Sequence, residues 1–476
     1  MAIQCCWYLF IDAYLDHIEG NVVISAWQFA QGTPLYQSED AAPVFANYYG
    51  PLAYLVEVPA LLLLGASTAA TKLTSLVALT GTVIVLTCYF LRDPAEGDAD
   101  QGIFFLVAAL LLFAPISYWV RPDPIETFAV AAAVAATRSG CRPLWVGFFC
   151  GVAVNLKAHA GLYFLPILVD LWWIAGWRAL LLAAGAGAAT ALLPFLAPGI
   201  SAQDYLTGLS QQIVGRAQTL VQLPWVVICL MMLLLPIAIP LAAQRQPART
   251  TLYAVVGMAA ALVLLYPATF PGAGAYHFLP LVPVLADARY RLRPCGVDAA
   301  LSPFALLIIG LPVASANLQL LAAKRETGPL IAQALALARE RGPGTVQVGY
   351  GDNLQSYMSS QLIRTVLALH SYPAFVDAQI LMELHQIGIE GSARWIPALQ
   401  GCRARRWLLP RGETPFAVAN YFYDGARLFG ERFRDTFFSN YSLVGSSEDL
   451  DVWECKRQQT KQDDGRASTF MPSASP

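Results

Sequence analysis

The chain has 476 residues, 57% of them hydrophobic and only 13% charged, with a mean hydropathy of +0.51. That balance excludes an ordinary soluble globular protein and predicts a polytopic α-helical membrane protein, with the lipid bilayer as its first partner. A net charge of -2 offers no basic surplus for a phosphate backbone, so no nucleic acid is expected.

In chain order, the first apolar run carries "CCWYLF" and reaches only to Asp16, short of the ~20 residues that a crossing needs. It has no basic n-region and no A-x-A site, so it reads as a first helix, its start missing or misassigned, and not as a cleaved signal peptide. "YLDHIEGN" (14–21) follows and puts Asp16, His17 and Glu19 at the outer end of that helix. The stretch "GPLAYLVEVPALLLLG" (50–65) is short and holds Glu57 and Pro59. Ten further apolar segments lie at 72–91, 102–119, 124–137, 143–156, 160–174, 178–197, 223–243, 250–270, 275–288 and 301–319.

Parity settles the stretch 50–65. If it does not cross, the arginine-bearing connectors at Arg92, "RSGCR" (138–142), Arg178, "QRQPAR" (244–249) and "ARYRLRP" (288–294) all fall on one side. The positive-inside rule makes that side cytoplasmic. About eleven spans result, with the C-terminal region outside. The outer ends of the spans then carry Asp16, His17, Glu19, Arg121, Asp123, Lys157, His159, Arg216 and His277. Ionisable groups at membrane depth are expensive and mark a functional site by default. Lys157 and His159 interrupt an apolar stretch, and snorkelling explains a lysine alone but not a histidine two residues on. The small residues of "AAGAGAATA" read as close helix packing rather than a phosphate loop.

From about residue 322 the composition changes, since 33 of the 62 charged side chains lie beyond it. "TGPLIAQALALARERG" has helical periodicity, and "TVQVGYG", "RRWLLP" and "LDVWECK" read as short strands. The expected division is a transmembrane domain, 1–321, with a first outer loop at 16–71; a small α/β domain, 322–457, on the outer face; and a disordered tail, 458–476. Of the nine cysteines, only Cys402 and Cys455 are placed to pair in an oxidising compartment.

Four stretches together resemble the GT-C membrane glycosyltransferases, especially the protein O-mannosyltransferase and aminoarabinose-transferase group of family 39. They are "YLDHIEGN", "QGTPLY" (31–36), "NYYGPLAYL" (47–55) and "RPDP" (121–124). The resemblance implies transfer of a sugar from a polyprenyl-phosphate donor to a lipid, glycan or protein acceptor at the outer face of the cytoplasmic membrane. It makes Asp16 or Glu19 the first-loop carboxylate and Asp123 the second, one of them acting as general base, with Asp16 preferred. The chemistry also needs positive charge beside the departing phosphate, for which Arg121, Lys157, His159, Arg216 and His277 are the candidates, with His17 beside the acids. No cofactor is required with certainty, and a divalent metal is compatible with the carboxylates. The rival reading is a transporter or lipid flippase without transferase activity. It fits less well, because no hydropathy repeat is present and the charges gather at span ends.

Overall fold

The computed structural model describes residues 1–37, 49–92, 97–140, 142–213, 221–243, 245–292, 297–324, 327–340, 345–372, 374, 376–386, 388–421 and 425–456. They fall into two compact units, the first drawn mainly from the chain up to Arg325 and the second mainly from Glu326 onward.

The helices up to Lys324 are α1 (Ala2–Phe10), α2 (His17–Ala30), α3 (Leu52–Leu55), α4 (Val58–Leu64), α5 (Thr68–Arg92), α6 (Ala99–Leu112) and α7 (Pro122–Arg138). They continue with α8 (Pro143–Leu156), α9 (Gly161–Leu192), α10 (Ala202–Ile213), α11 (Leu223–Ala243), α12 (Ala248–Ala268), α13 (Val282–Leu292) and α14 (Val297–Lys324). Among the described residues five helices are long and apolar enough to cross a membrane, and three shorter apolar ones lie at Leu52–Leu64, Ala99–Leu112 and Pro143–Leu156. The chain is an integral membrane protein whose helices expose large apolar side chains outward, among them Val77, Ile84, Leu181, Ile228, Leu262 and Ile308. Such a surface is stable only against lipid.

One local reading needs correction. The acidic stretch does not close the first helix. α1 ends at Phe10, and Asp16 is instead the N-cap of α2, as its short acceptor side chain favours. The stretch 50–65 is two short helices, α3 and α4, with Glu57 buried between them.

Segments 160–174 and 178–197 form one helical run interrupted at Gly176, whose φ of 73° and ψ of -173° suit only glycine. Its second half packs in parallel on α8. A Cβ on Gly147 would lie 2.1 Å from the Ala183 carbonyl oxygen, one on Gly151 would lie 2.3 Å from that of Gly187, and Asn155 Nδ2 donates to Ala191 O at 2.7 Å. Small residues four apart thus let the two backbones touch. Since the first half of α9 descends from Lys157 and the second half climbs beside α8, Gly176 is a reversal.

The second unit holds α15 (Gly328–Arg339), β1 (Val346–Val348), α16 (Leu354–Leu369), α17 (Ala378–Gln386), α18 (Ile396–Gln400), β2 (Arg406–Pro410), α19 (Glu431–Asn440), β3 (Tyr441–Ser446) and β4 (Leu450–Cys455). The sheet order is β1-β2-β4-β3. β1 runs parallel to β2 with Val348 opposite Leu408, and the other two pairings are antiparallel. The three strands read from sequence are present; β3 is the addition, its Leu443 and Val444 exposed. Trp395, Trp407, Phe416, Phe433 and Phe437 fill the core on one side of the sheet.

Cys402 and Cys455 are joined across 53 residues of chain. Closing a loop of that length removes enough unfolded-state entropy to stabilise the unit by about 4 kcal/mol. Reduction should therefore lower amide-exchange protection in β2 and β4 well before it affects α5 or α7. Protection in β2 and β4 that is indifferent to reductant would contradict this.

Candidate active site

Four chain segments converge at one end of the first unit: the connection before α2, the connection before α7, the corner after α8 and the 3-10 turn Ala275–Leu281 before α13. Each breaks its helix for a local reason. Arg121 is extended ahead of two prolines that open α7, Lys157 is extended at the end of α8, and Asp16 is extended at the start of α2.

These breaks set charges side by side. Asp16 Oδ2 accepts from Arg121 Nη1 at 2.7 Å, and Asp16 Oδ1 lies 2.8 Å from His17 Nδ1. Arg121 Nε is 3.8 Å from Asp123 Oδ2, and Asp123 Oδ1 is 2.5 Å from Lys157 Nζ. Lys157 Nζ in turn lies 3.6 Å from Glu126 Oε2. The result is an alternating ladder, Asp16–Arg121–Asp123–Lys157–Glu126, with three carboxylates and two cations. Asp123 and Glu126 are fully buried, Arg121 is 4% and Lys157 7% exposed, and the Asp16 side chain keeps 18% exposure. Aromatic faces complete the cage: the Arg121 guanidinium lies 4.1 Å from the Trp119 ring and 4.5 Å from Tyr276, and Lys157 Nζ 5.6 Å from Tyr49.

Glu19 plays a different part. Its Oε1 accepts from the backbone N–H groups of Leu15 and Asp16 at 2.6 and 2.7 Å, and its Oε2 from Val120 N at 2.7 Å and from the Tyr8 hydroxyl. Four donors fill the acceptor sites of one carboxylate. Glu19 therefore ties the strand of chain bearing Asp16 to the one bearing Arg121. Beside it, buried Lys72 donates to the carbonyls of Tyr8 and Ile11 at 2.8 and 2.6 Å and so closes the end of α1.

His159 and His277 meet with Nε2 and Nδ1 3.2 Å apart, and Tyr163 donates to the His277 carbonyl at 3.0 Å. Only one proton fits between two ring nitrogens at that distance, so the pair does not carry two charges there. The "YYGPL" turn docks on the same corner. Gly50 N donates to Leu156 O at 3.1 Å, Leu52 N to Asn155 Oδ1 at 2.8 Å, and a Cβ on Gly50 would sit 1.6 Å from the Asn155 carbonyl.

Asp16, His17, Glu19, Arg121, Asp123, Lys157, His159 and His277 are thus brought together, while the side chain of Arg216 lies outside the described residues. Sequence reading missed Glu126, Tyr49, Trp119 and Tyr276. Glu126 had a signal, an acid three residues after Asp123 in an apolar helix, hence on the same face. Among the described residues, no group of three or more His, Cys, Asp or Glu side chains is placed to hold a metal ion.

Burial by itself raises the Asp16 carboxyl, but the charges and hydrogen bonds of His17 and Arg121 outweigh it and hold the group below the usual carboxylate range. The folded value lies below the unfolded one of about 4. The stabilisation is therefore complete above that pH and fades only as pH falls further.

Three of the arginine-bearing connectors, those of Arg138, Arg249 and Arg291, meet at the opposite end of α7, about 22 Å away at 1.5 Å per residue. There Asp170 binds Arg249 Nε at 2.6 Å and Arg291 Nη2 at 3.1 Å, with Arg138 Nε at 3.9 Å, and Arg291 also binds Asp287.

No protein-family model and no curated protein matches the sequence. Among solved structures, ArnT from Cupriavidus metallidurans bound to undecaprenyl phosphate matches with a TM-score of 0.60 at 14% identity, covering 95% of this chain and 96% of that one. Its apo form matches at 0.59 and 11%, covering 95% of both. Identity this low speaks to fold alone, and the fold is GT-C-like, as in ArnT.

Removing one member of a buried pair strands its partner, at a cost of about 3–5 kcal/mol. Lys157→Met should lower the unfolding temperature markedly, and adding Asp123→Asn should restore a large part of the loss. Equal destabilisation in the single and double variants would show that the ladder is not electrostatically coupled.

Proposed function

We propose that the chain transfers a sugar from a polyprenyl-phosphate donor to an acceptor hydroxyl at the outer face of the membrane. The observation that carries the reading is the ladder itself: two buried cations held between carboxylates at one end of a GT-C-like bundle. ArnT, which shares the fold, is seen bound to undecaprenyl phosphate.

The residues divide the work as follows. The acceptor oxygen attacks the anomeric carbon as the bond from that carbon to the phosphate oxygen breaks. Charge develops on the departing phosphate, and Arg121 and Lys157 are the cations that meet it. The acceptor proton passes to a carboxylate. Asp16 suits that role, because its side chain is 18% exposed whereas those of Asp123, Glu126 and Glu19 are fully buried. Asp123 holds Lys157 and Arg121, Glu19 fixes the backbone beneath both loops, and the His159–His277 pair lines the same end.

The two ends of α7 support this sidedness. The arginine-rich end is cytoplasmic by the positive-inside rule, which turns the ladder outward. The Cys402–Cys455 disulfide supports an oxidising, outer location for the second unit. About eleven crossings accord with that arrangement.

The test is release of free polyprenyl phosphate by the purified protein from a panel of radiolabelled polyprenyl-phosphate sugars. Release coupled to a labelled acceptor is expected; movement of intact lipid across vesicles with no release would favour the flippase reading. Asp16→Asn should abolish single-turnover transfer, by 1000-fold or more, while carrier binding changes by less than about tenfold, since an amide keeps the shape but cannot take a proton. Glu19→Gln should act instead through stability, because an amide nitrogen in place of an oxygen faces backbone donors. If Asp16→Asn retains transfer while a folded Glu19→Gln protein loses it, the base is Glu19.

A further inference from the structure

The ladder contains three carboxylates and two cations, so with every group ionised it carries a net charge of -1. Glu19 stands apart, its oxygens filled by Tyr8 and three backbone N–H groups. A polyprenyl-phosphate sugar, a phosphodiester, brings a further -1 beside Arg121 and Lys157, and the carrier that transfer leaves there, a phosphate monoester, brings about -1.5 to -2 at neutral pH. Buried excess charge of one sign is costly, and a site relieves it by neutralising its least supported group.

That group is Glu126. Asp16 keeps His17 at 2.8 Å, and Asp123 keeps the Arg121 guanidinium at 3.8 Å even if Lys157 turns away. Glu126 is 0% exposed, neither of its carboxylate oxygens has a hydrogen-bond partner, and Lys157 lies 3.6 Å away. The groups facing this region are Arg121 and Asp123 near the start of its own helix, Lys157 at the end of α8, His159 and Tyr163 at the start of α9, and Tyr276 and His277 on the turn before α13. As Lys157 engages a phosphate, Glu126 loses its one close ionic partner.

We propose that binding of the carrier phosphate is coupled to uptake of one proton from solvent by Glu126, so that this phosphate is held tightly only when Glu126 is protonated. The inference rests on the reading of this end as the donor-phosphate site. It gives the site a built-in pH response: as pH rises, the proton is harder to supply, and affinity falls by up to about tenfold per pH unit.

The probe is undecaprenyl phosphate in detergent, titrated calorimetrically into the intact protein at pH 8 in buffers of different ionisation enthalpy. At that pH the phosphate itself is largely a dianion. The wild-type protein should take up about one proton per ligand, and its Kd should weaken as pH is raised from 6.5 to 8.5. Glu126→Gln, close in size and already neutral, should bind with uptake near zero and a flat pH profile. Binding without proton uptake by the wild type overturns this inference alone. Uptake that persists in Glu126→Gln overturns it too, the proton then belonging to the phosphate, to His17 or to the His159–His277 pair. Absence of any binding overturns the donor-site reading, and this inference with it. Should Glu126→Gln fail to fold, Glu126→Asp, one methylene shorter and still titratable, should keep the uptake but shift the pH at which Kd weakens; an unshifted profile overturns the assignment to Glu126.

Discussion

A charge placed where water cannot reach must find a partner, and the first unit is organised around that constraint. Arg121, Asp123 and Glu126 sit at the start of α7 and Lys157 at the end of α8, and along the series Arg121–Asp123–Lys157–Glu126 each is within ion-pair distance of the next. The ladder fixes where α7 begins relative to where α8 ends, and Asp16 extends it to the connection before α2. Glu19 performs the neutral counterpart of this task by gathering backbone N–H groups from two connections onto one carboxylate. Buried ion pairs are weak evidence for stability, because well-packed apolar groups often serve as well. Their persistence here is better explained by what the cations and acids do when a charged substrate arrives.

The same constraint operates at the far end of α7, with a different outcome. There arginines outnumber acids, and Asp170 is shared by Arg249 and Arg291. Arg289 reaches the Pro236 carbonyl at 2.6 Å and Gln101 at 2.9 Å. These contacts join the ends of α6, α11 and α13, while the Arg291 guanidinium lies 3.8 Å from the Tyr253 ring of α12. Exposed Trp172, Trp173 and Trp177 sit in the same stretch of α9, as aromatic side chains do at a membrane interface. One end of the bundle is thus closed by arginine–aspartate pairs beside exposed tryptophans, whereas the other leaves an acid partly open.

Much of this was legible in the sequence, for physical reasons. Charge is rare enough in the first 321 residues that each ionisable group stands out, and connector parity put Asp16, Arg121, Lys157 and His277 at one end before any geometry was known. Residue type alone did not reveal roles that depend on the backbone. Asp16 and Glu19 looked like alternative acids on one helix end, and only the N-cap geometry of Asp16, with Glu19 turned onto backbone donors, separates them. Glu126 was passed over because its helix reads as an ordinary apolar span. The gap between the apolar runs 160–174 and 178–197 falls where Gly176 breaks the helix with a φ of 73°. The strand β3 escaped because "YSLVGS" has only its first residue buried, leaving little alternation to detect.

Whether the ladder binds the carrier phosphate is decided most directly by a crystal or cryo-EM structure of the protein with undecaprenyl phosphate. The phosphate should lie within hydrogen-bond reach of Arg121 and Lys157, with the Asp16–Arg121 contact loosened to admit it. A phosphate seated instead among Arg138, Arg249 and Arg291, with the ladder unchanged, would contradict it.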